Sequence, residues 1–323
     1  ESRPMSSPPR ERPALSVVVP VYNEEESLPI LHPELVAALE RAGGGFEILY
    51  VDDGSSDGSA RILRALAGAD ARVRRVALRR NFGQTAALAA GFDHARGETV
   101  VTMDADLQND PADIPSLLAR IREGHDIVSG WRRRRRDRLL TRRLPSALAN
   151  RILRRMTGVP IHDSGCTLKA YRATLLRRLP LYAELHRFLP ALGAFAGARV
   201  TEVEVGHRPR RFGRSKYGIT RTFRVILDLM TVKMLVQFAA RPLHWFGVFA
   251  FPVLLLSFAF FLLGLLRGGG ELVFGTVVYP AIAVLLFLTS MDLLLLGLLA
   301  ELAVRAGHRP GSSLVEGLQA QVR

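Results

Sequence analysis

Short apolar runs alternate with longer amphipathic ones along the first hundred residues. "LSVVVPVY" (15–22), "FEILYVDD" (46–53), "VRRVALR" (73–79) and "ETVVTMD" (98–104) are β-branched and short enough for strands. Between them "ESLPILHPELVAALERAG", "SARILRALAG" and "TAALAAGFDHARG" carry helical spacing. This alternation predicts an α/β domain of βαβ units, a mostly parallel sheet covered by helices on both faces. In such sheets ligands bind beyond the carboxyl ends of the strands. The polar segments fall at those ends: "PVYNEEE" after the first strand, "DDGSSDGS" after the second, "RRNFGQT" after the third and "DADLQ" after the fourth.

Near residue 240 the pattern changes. "WFGVFAFPVLLLSFAFFLLGLL" (245–266) carries no charge and is long enough to cross about 30 Å of hydrocarbon. A second run, Leu272 to Ala300, is interrupted by Asp292, and "RGGGE" separates the two, so the pair predicts a transmembrane hairpin. Asp292 is expected to face the partner span or a neighbouring subunit of a homo-oligomer, because a carboxylate facing lipid at such a depth costs about 2.5–3.5 kcal/mol. A hairpin returns the chain to its starting side. Lys233, Arg241, Arg305 and Arg309 flank it there against Arg267 in the turn, which predicts a multi-pass protein of the inner membrane with its large domain in the cytosol. Just upstream, Ile219, Phe223, Leu227, Met230 and Met234 recur at helical spacing with Arg221, Arg224 and Asp228 between them. That pattern suits an amphipathic helix in the membrane interface or a core helix. The expected organisation is a disordered arm over 1–14, a globular domain over 15–217, the amphipathic helix over 218–242, the hairpin over 243–301 and a tail over 302–323.

Charge narrows the partners. The 323 residues carry a formal charge of +14, and "GWRRRRRDR" (130–138) is followed by Arg142, Arg143, Arg151, Arg154 and Arg155. Nucleic acid is not expected, because no recognition motif or set of stacking aromatics accompanies the run. An anionic leaflet suits it better, at about 1 kcal/mol per basic residue near the surface. "ESRPMSSPPRERP" is Pro- and Arg-rich and reads as an arm without the charged-then-apolar order of a leader. The single Cys166 allows no internal disulfide and agrees with a reducing compartment; packing is its expected role.

The candidate chemistry begins in "TMDADLQND" (102–110), where Asp104, Asp106 and Asp110 crowd a strand end. Asp104 and Asp106 are two apart and leave the same face of an extended chain. Like charges that close raise each other's pKa unless a cation neutralises them. Gln108 adds an amide oxygen, and an all-oxygen set suits Mg²⁺ or Mn²⁺. The alternative is that these acids are turn and N-cap residues before a helix opened by "NDPADIP".

Taken in order, "VVVPVYNEEESLP", "ILYVDDGSSDGS", "RNFGQTAALAAGF", "MDADLQNDP" and "RRFGRSKYG" resemble the family 2 glycosyltransferases of the GT-A fold. More narrowly, the chain resembles the polyprenyl-phosphate glycosyltransferases, over roughly residues 15–240 and the hairpin. The resemblance implies a nucleotide-diphospho-sugar transferase sandwich that moves one sugar, with inversion, from a UDP- or GDP-sugar to a polyprenyl phosphate. It implies that Pro20, Tyr22, Asn23, Glu24 and Asp52 hold the nucleoside, that Gln84 borders the same pocket, and that Asp104 meets the nucleotide-sugar. Asp106 and Gln108 would hold the metal on the diphosphate. Asp163, in "HDSGCTLKAY", corresponds to an acid assigned a base or acceptor-positioning role, with capping of the next segment as the plainer alternative. Arg132 is a candidate ligand of the lipid phosphate, and Arg210, Ser215 and Lys216 match an R-x-x-G-x-S-K signature that would clamp a phosphate. Two alternatives stand beside this reading. A processive polysaccharide synthase usually carries more spans and a Q-x-x-R-W motif, neither of which is found; a non-catalytic scaffold is disfavoured by the intact acidic set.

Overall fold

The β-branched runs form strands because the interior covers them on both sides. In the computed structural model of the chain, which describes residues 13–133, 154, 159, 161–177, 185–209, 211–212, 230–231, 234, 238, 241–267 and 277–307, Val17, Val18 and Val19 are all fully buried. Alternation of buried and exposed positions is therefore absent from this strand, as expected for the middle of a parallel sheet. The chain divides into two units, Glu1–Leu229 and Met230–Arg323.

In the first unit the order is β1 (Leu15–Val21), α1 (Leu28–Ala42), β2 (Phe46–Asp52), α2 (Ser59–Ala69), β3 (Val73–Ala77), α3 (Gln84–His94) and β4 (Thr99–Thr102). A 3-10 turn (Pro111–Asp113) leads into α4 (Ile114–Arg122) and β5 (Ile127–Trp131). Then come β6 (Lys169–Arg172), a short α5 (Ala173–Leu176), a 3-10 turn (Leu185–Phe188), α6 (Leu189–Phe195) and β7 (Val200–Glu204). The four expected strands and three expected helices fall where the pattern placed them; β5, β6 and β7 extend the sheet. The strands lie in the order β3-β2-β1-β4-β6-β5-β7, with β6 antiparallel to both neighbours and every other pair parallel.

That reversal matters for the site. Thr102 at the end of β4 pairs with Lys169 at the start of β6, so the segment entering β6 reaches the same rim as the loop leaving β4. On the helical layers, α1 buries Leu28, Leu31, Leu35 and Leu39, and truncating one of these to Ala would cost about 2–5 kcal/mol. The α3 helix lies close against β1: a Cβ on Gly91 would stand 2.2 Å from Val18 Cγ1, so only glycine admits this approach.

The second unit contains α7 (Pro242–Arg267) and α8 (Tyr279–Gly307), both long and apolar enough to cross a membrane. They pack antiparallel, since Ser257 Oγ donates to the Ala283 carbonyl (2.7 Å) and Ser290 Oγ to that of Ala250 (3.0 Å). Small residues and interhelical hydroxyls are the usual seam of helices in lipid. The second helix overruns its expected end at Ala300. Glu301 receives Arg305 Nη2 at 3.2 Å one turn on, and its other oxygen lies 3.4 Å from the Leu243 amide in the first turn of α7, so the polar end stays helical. Asp292 is exposed on α8 and does not face α7, which corrects one of its two expected placements. Ser290 faces the seam, and two residues further along a helix point about 200° away. The expected 218–242 helix lies almost wholly outside the described residues, as do the arginine run beyond Arg133 and the signature residues Arg210, Ser215 and Lys216.

Candidate active site

The rim at the carboxyl ends of β1, β2 and β4 is built from loops that hold one another. Asn23, in the left-handed region at φ 58, accepts the Ser56 amide on Oδ1 at 2.8 Å and gives its own amide to Ser55 Oγ at 3.1 Å. The Glu24 amide donates to Ser59 Oγ (2.8 Å), and the Gly58 amide to Glu25 Oε2 (2.7 Å). Asp57 stays below the usual carboxylate range: burial alone would raise it, but hydrogen bonds from Ser59 and from the Glu25 amide outweigh that. "YNEEE" and "DDGSSDGS" thus form one zipped pair of loops.

The tandem acids of the second loop divide their work. Asp52, buried, accepts the Ser55 amide (3.0 Å) on one oxygen and Arg75 Nη2 (3.1 Å) on the other. Asp53, which the sequence reading passed over, accepts the amides of Phe82 (2.8 Å) and Gly83 (2.9 Å) and so anchors the loop before α3. Gly54, at φ 70, lets the two loops touch, since a Cβ there would lie 2.5 Å from the Arg80 carbonyl carbon. The consequence is the placement of Gln84, the first residue of α3. Its Nε2 donates to Asp104 Oδ1 at 2.6 Å, joining two of the expected donor-site residues. Pro20, Gln84 and Asp104 line one narrow cavity of about 10 Å³ together with Thr102, Lys169 and His186, room for about one water. Tyr22 lies partly buried beside this rim.

The three acids that open the β4 loop have separate fates. Asp110 is a cap: its Oδ1 accepts the Ala112 amide at 3.0 Å, and its Oδ2 pairs with Arg208 Nη2 at 2.7 Å. Arg208 also reaches Glu34 Oε2 at 2.6 Å and gives its amide to the Gln108 carbonyl at 2.9 Å. Asp106 is buried, and its Oδ1 receives the Gln108 amide at 3.2 Å around Leu107, a leucine at φ 62. A β-carbon in the left-handed region costs of order 1–3 kcal/mol, strain of the kind that gathers at functional sites. Among the described residues no group of three or more His, Cys, Asp or Glu side chains converges. One carboxylate and one amide oxygen nonetheless suit a hard divalent cation that completes its shell with phosphate oxygens and water.

The opposite wall comes from the β5 end and the segment before β6. Arg132 Nε and Nη2 fork onto Asp163 at 2.7 and 3.0 Å, and both side chains are buried, at 9% and 7% exposure. Burial works against the guanidinium charge, and the Asp163 hydrogen bonds more than restore it. Glu202 of β7 accepts the amides of His162 (2.7 Å) and Asp163 (3.2 Å), and Trp131 stacks on His162 at 4.5 Å between ring centres. Asp163 stands here as the buried partner of Arg132. Burial pushes the Cys166 thiol up to about 11, which fits packing.

A mostly parallel sheet with one reversed strand and interlocked loops at its carboxyl rim is the GT-A arrangement of glycosyltransferases. The sequence profile described as "Glycosyl transferase family 2" matches residues 16–179, and the chain belongs to that family. It is 43% identical over 311 residues to a dodecaprenyl-phosphate galacturonate synthase of Rhizobium johnstonii, covering 93% of this chain and 90% of that protein. It is 39% identical over 288 residues to an undecaprenyl-phosphate 4-deoxy-4-formamido-L-arabinose transferase of Shewanella sediminis, covering 89% and 86%. The fold is similar to that of glucosyl-3-phosphoglycerate synthase from Mycobacterium tuberculosis, solved with Mn²⁺, uridine diphosphate and phosphoglyceric acid. That match has a TM-score of 0.55, 21% identity, and covers 68% of this chain and 78% of that one.

Proposed function

We propose that the protein transfers a single sugar from a nucleotide-sugar to a polyprenyl phosphate at the cytosolic face of the inner membrane, with inversion and with a divalent cation. The observation that carries this is one rim on which the Gln84–Asp104 pair, the Asp106–Gln108 turn and the Arg132–Asp163 fork all converge, in a chain that also has a pair of apolar helices. The names of the two relatives, both polyprenyl-phosphate sugar enzymes, support the acceptor class.

In this mechanism the Asn23–Asp52 loops receive the nucleoside, while Asp104, held by Gln84, orients the sugar. Asp106 and Gln108 would hold Mg²⁺ or Mn²⁺ on the diphosphate; when bound, the cation is a Lewis acid that offsets charge developing on the leaving group. Arg132 receives the lipid phosphate, and Arg210, Ser215 and Lys216 add the second clamp. A phosphate oxygen forms the bond to the anomeric carbon as the bond to the nucleoside diphosphate breaks, and the leaving group takes the electron pair. The second pKa of a phosphate monoester is about 6, so the acceptor carries no proton that must be removed near neutral pH. Asp163 is then needed to position Arg132 and has no base to play.

The test is a screen of UDP- and GDP-sugars with undecaprenyl phosphate and Mn²⁺, scored for lipid-linked product with one sugar per lipid. Products longer than one sugar would favour a processive synthase, and nucleotide binding without turnover would favour a scaffold.

A further inference from the structure

Lys169 itself has so far been given no role, yet it stands in the interior of the rim with 2% of its surface exposed. It pairs with Thr102 of β4 on one side and Ser129 of β5 on the other. Side chains directly opposite in antiparallel pairs share a face. Burying an ammonium is costly unless its hydrogens find acceptors. Among the described residues no carboxylate lies within ion-pair distance of it. Its Nζ donates instead to the main-chain carbonyls of Ser164, at 3.1 Å, and Cys166.

Those carbonyls belong to the "DSGCT" segment, 163–167, on which other ties converge. Thr102 Oγ1 donates to the Thr167 carbonyl at 2.7 Å, and Asn109 Nδ2, from the loop of the acids, to Thr167 Oγ1 at 2.9 Å. The first residue of the segment is Asp163, which forks onto Arg132. A cation on a four-carbon stem reaches both carbonyls of this turn at once. Burial brings the ammonium down to about 8, with the charge of Asp163 among the opposing influences.

We propose that Lys169 is a positioning residue for the acceptor: it fixes the 163–167 turn, and through Asp163 it sets the Arg132 guanidinium where the lipid phosphate binds. This rests on the transferase reading above, and on Arg132 as the phosphate ligand. The experiment measures steady-state transfer by the full chain in detergent, with undecaprenyl phosphate and the best donor from the screen. For Lys169→Met the KM for undecaprenyl phosphate should rise about 10-fold, the scale of a lost charge-assisted hydrogen bond, while the donor KM stays within about twofold. Added to Arg132→Ala, Lys169→Met should raise the acceptor KM no further, because both act through one group. Thr102→Val, which removes another tie to the segment and leaves the lysine in place, should raise the acceptor KM in the same direction and guards against a misfolded Lys169→Met. An unchanged acceptor KM, an equal loss for both substrates, or full additivity with Arg132→Ala overturns the positioning role alone. Absence of turnover by the wild-type chain overturns the transferase reading and this inference with it.

Discussion

Replacing Arg132 by Ala separates a structural role for the Arg132–Asp163 pair from a chemical one. Both side chains are nearly excluded from solvent, and the fork is bidentate at 2.7 and 3.0 Å. With Arg132 gone, Asp163 retains only the Arg132 backbone amide, at 3.4 Å, among the three donors that this residue supplies. Breaking one side of a buried pair costs about 3–5 kcal/mol, because the remaining charge is left uncompensated. For a unit of this size about 1 kcal/mol moves Tm by roughly 2–4 °C, so Arg132→Ala should lower Tm by roughly 6–20 °C. Replacing both by apolar groups removes the stranded charge: Arg132→Met with Asp163→Leu should recover most of that stability. The KM for undecaprenyl phosphate should stay raised and turnover strongly reduced in both variants, because the phosphate ligand is absent. The assay is thermal unfolding in detergent followed by circular dichroism, paired with turnover on the same samples. An Arg132→Ala Tm within about 2 °C of wild type, or a double variant as unstable as the single, would refute the claim that a buried ion pair supports this wall. A double variant that regained transfer would refute Arg132 as the acceptor ligand.

Further outcomes follow from the same geometry. Chelation by EDTA should abolish transfer and added Mn²⁺ or Mg²⁺ restore it, and Asp106→Ala should lose at least about 100-fold in kcat/KM with an unchanged melting temperature, since a Lewis acid supplies several kcal/mol; full activity of that variant in chelator would sink the assignment. Gln84→Leu should leave Asp104 without its 2.6 Å donor and lower kcat/KM for the nucleotide-sugar by about 10-fold, read from initial rates at saturating acceptor. His186, buried and hydrogen-bonded to Thr85 Oγ1 at 2.6 Å, is held down to about 3 by burial and by the charges of Arg187 and Lys169. Because this folded value lies below the ordinary 6.5, the unfolded chain takes up the proton first as pH falls. Stability is then fully present above about 6.5 and drops by about 2 kcal/mol between pH 7 and 5. His186→Asn should lose that share of the slope in denaturant melts at the two pH values, and equal slopes for both proteins would count against a buried neutral imidazole.

How far this site could be read from the chain depends on the distance over which each interaction acts. The acids of "DADLQ" and the loops "YNEEE" and "DDGSSDGS" were legible because strand ends and turn residues are local signals, and in a parallel sheet such ends must share a rim. β5, β6 and β7 were not read, since "IVSGW", "KAYR" and "VTEVE" are short, and two of them place charged residues where a strand core would be apolar. Lys169 is the sharpest case: a lysine that opens a strand reads as solvated, and only the antiparallel pairing of β6 with β4 shows it to be interior. Arg208 spans Glu34 and Asp110, 174 and 98 residues away, a link that no local pattern announces. Asp53 had a signal in its tandem with Asp52, because adjacent strand-end residues leave opposite faces and both here are buried.

The second unit shows the converse, a strong pattern whose finer meaning needs the packing. Apolar length announced both helices, yet length says nothing of which side each residue takes. Ser257, Ser290 and Gly297 fix the seam, since a Cβ on Gly297 would stand 2.9 Å from Phe246 Cβ and both hydroxyls reach across to main-chain carbonyls. Once that seam is set, the 100° step of the helix decides the rest, and Asp292 falls on the outer face of α8. The hairpin therefore owes none of its internal packing to this carboxylate. Of the two placements that the sequence suggested for it, contact with a neighbouring subunit is the one that the helix pair leaves open. The same geometry that puts Ser290 in the seam thus turns Asp292 away from it, where it is exposed among the described residues.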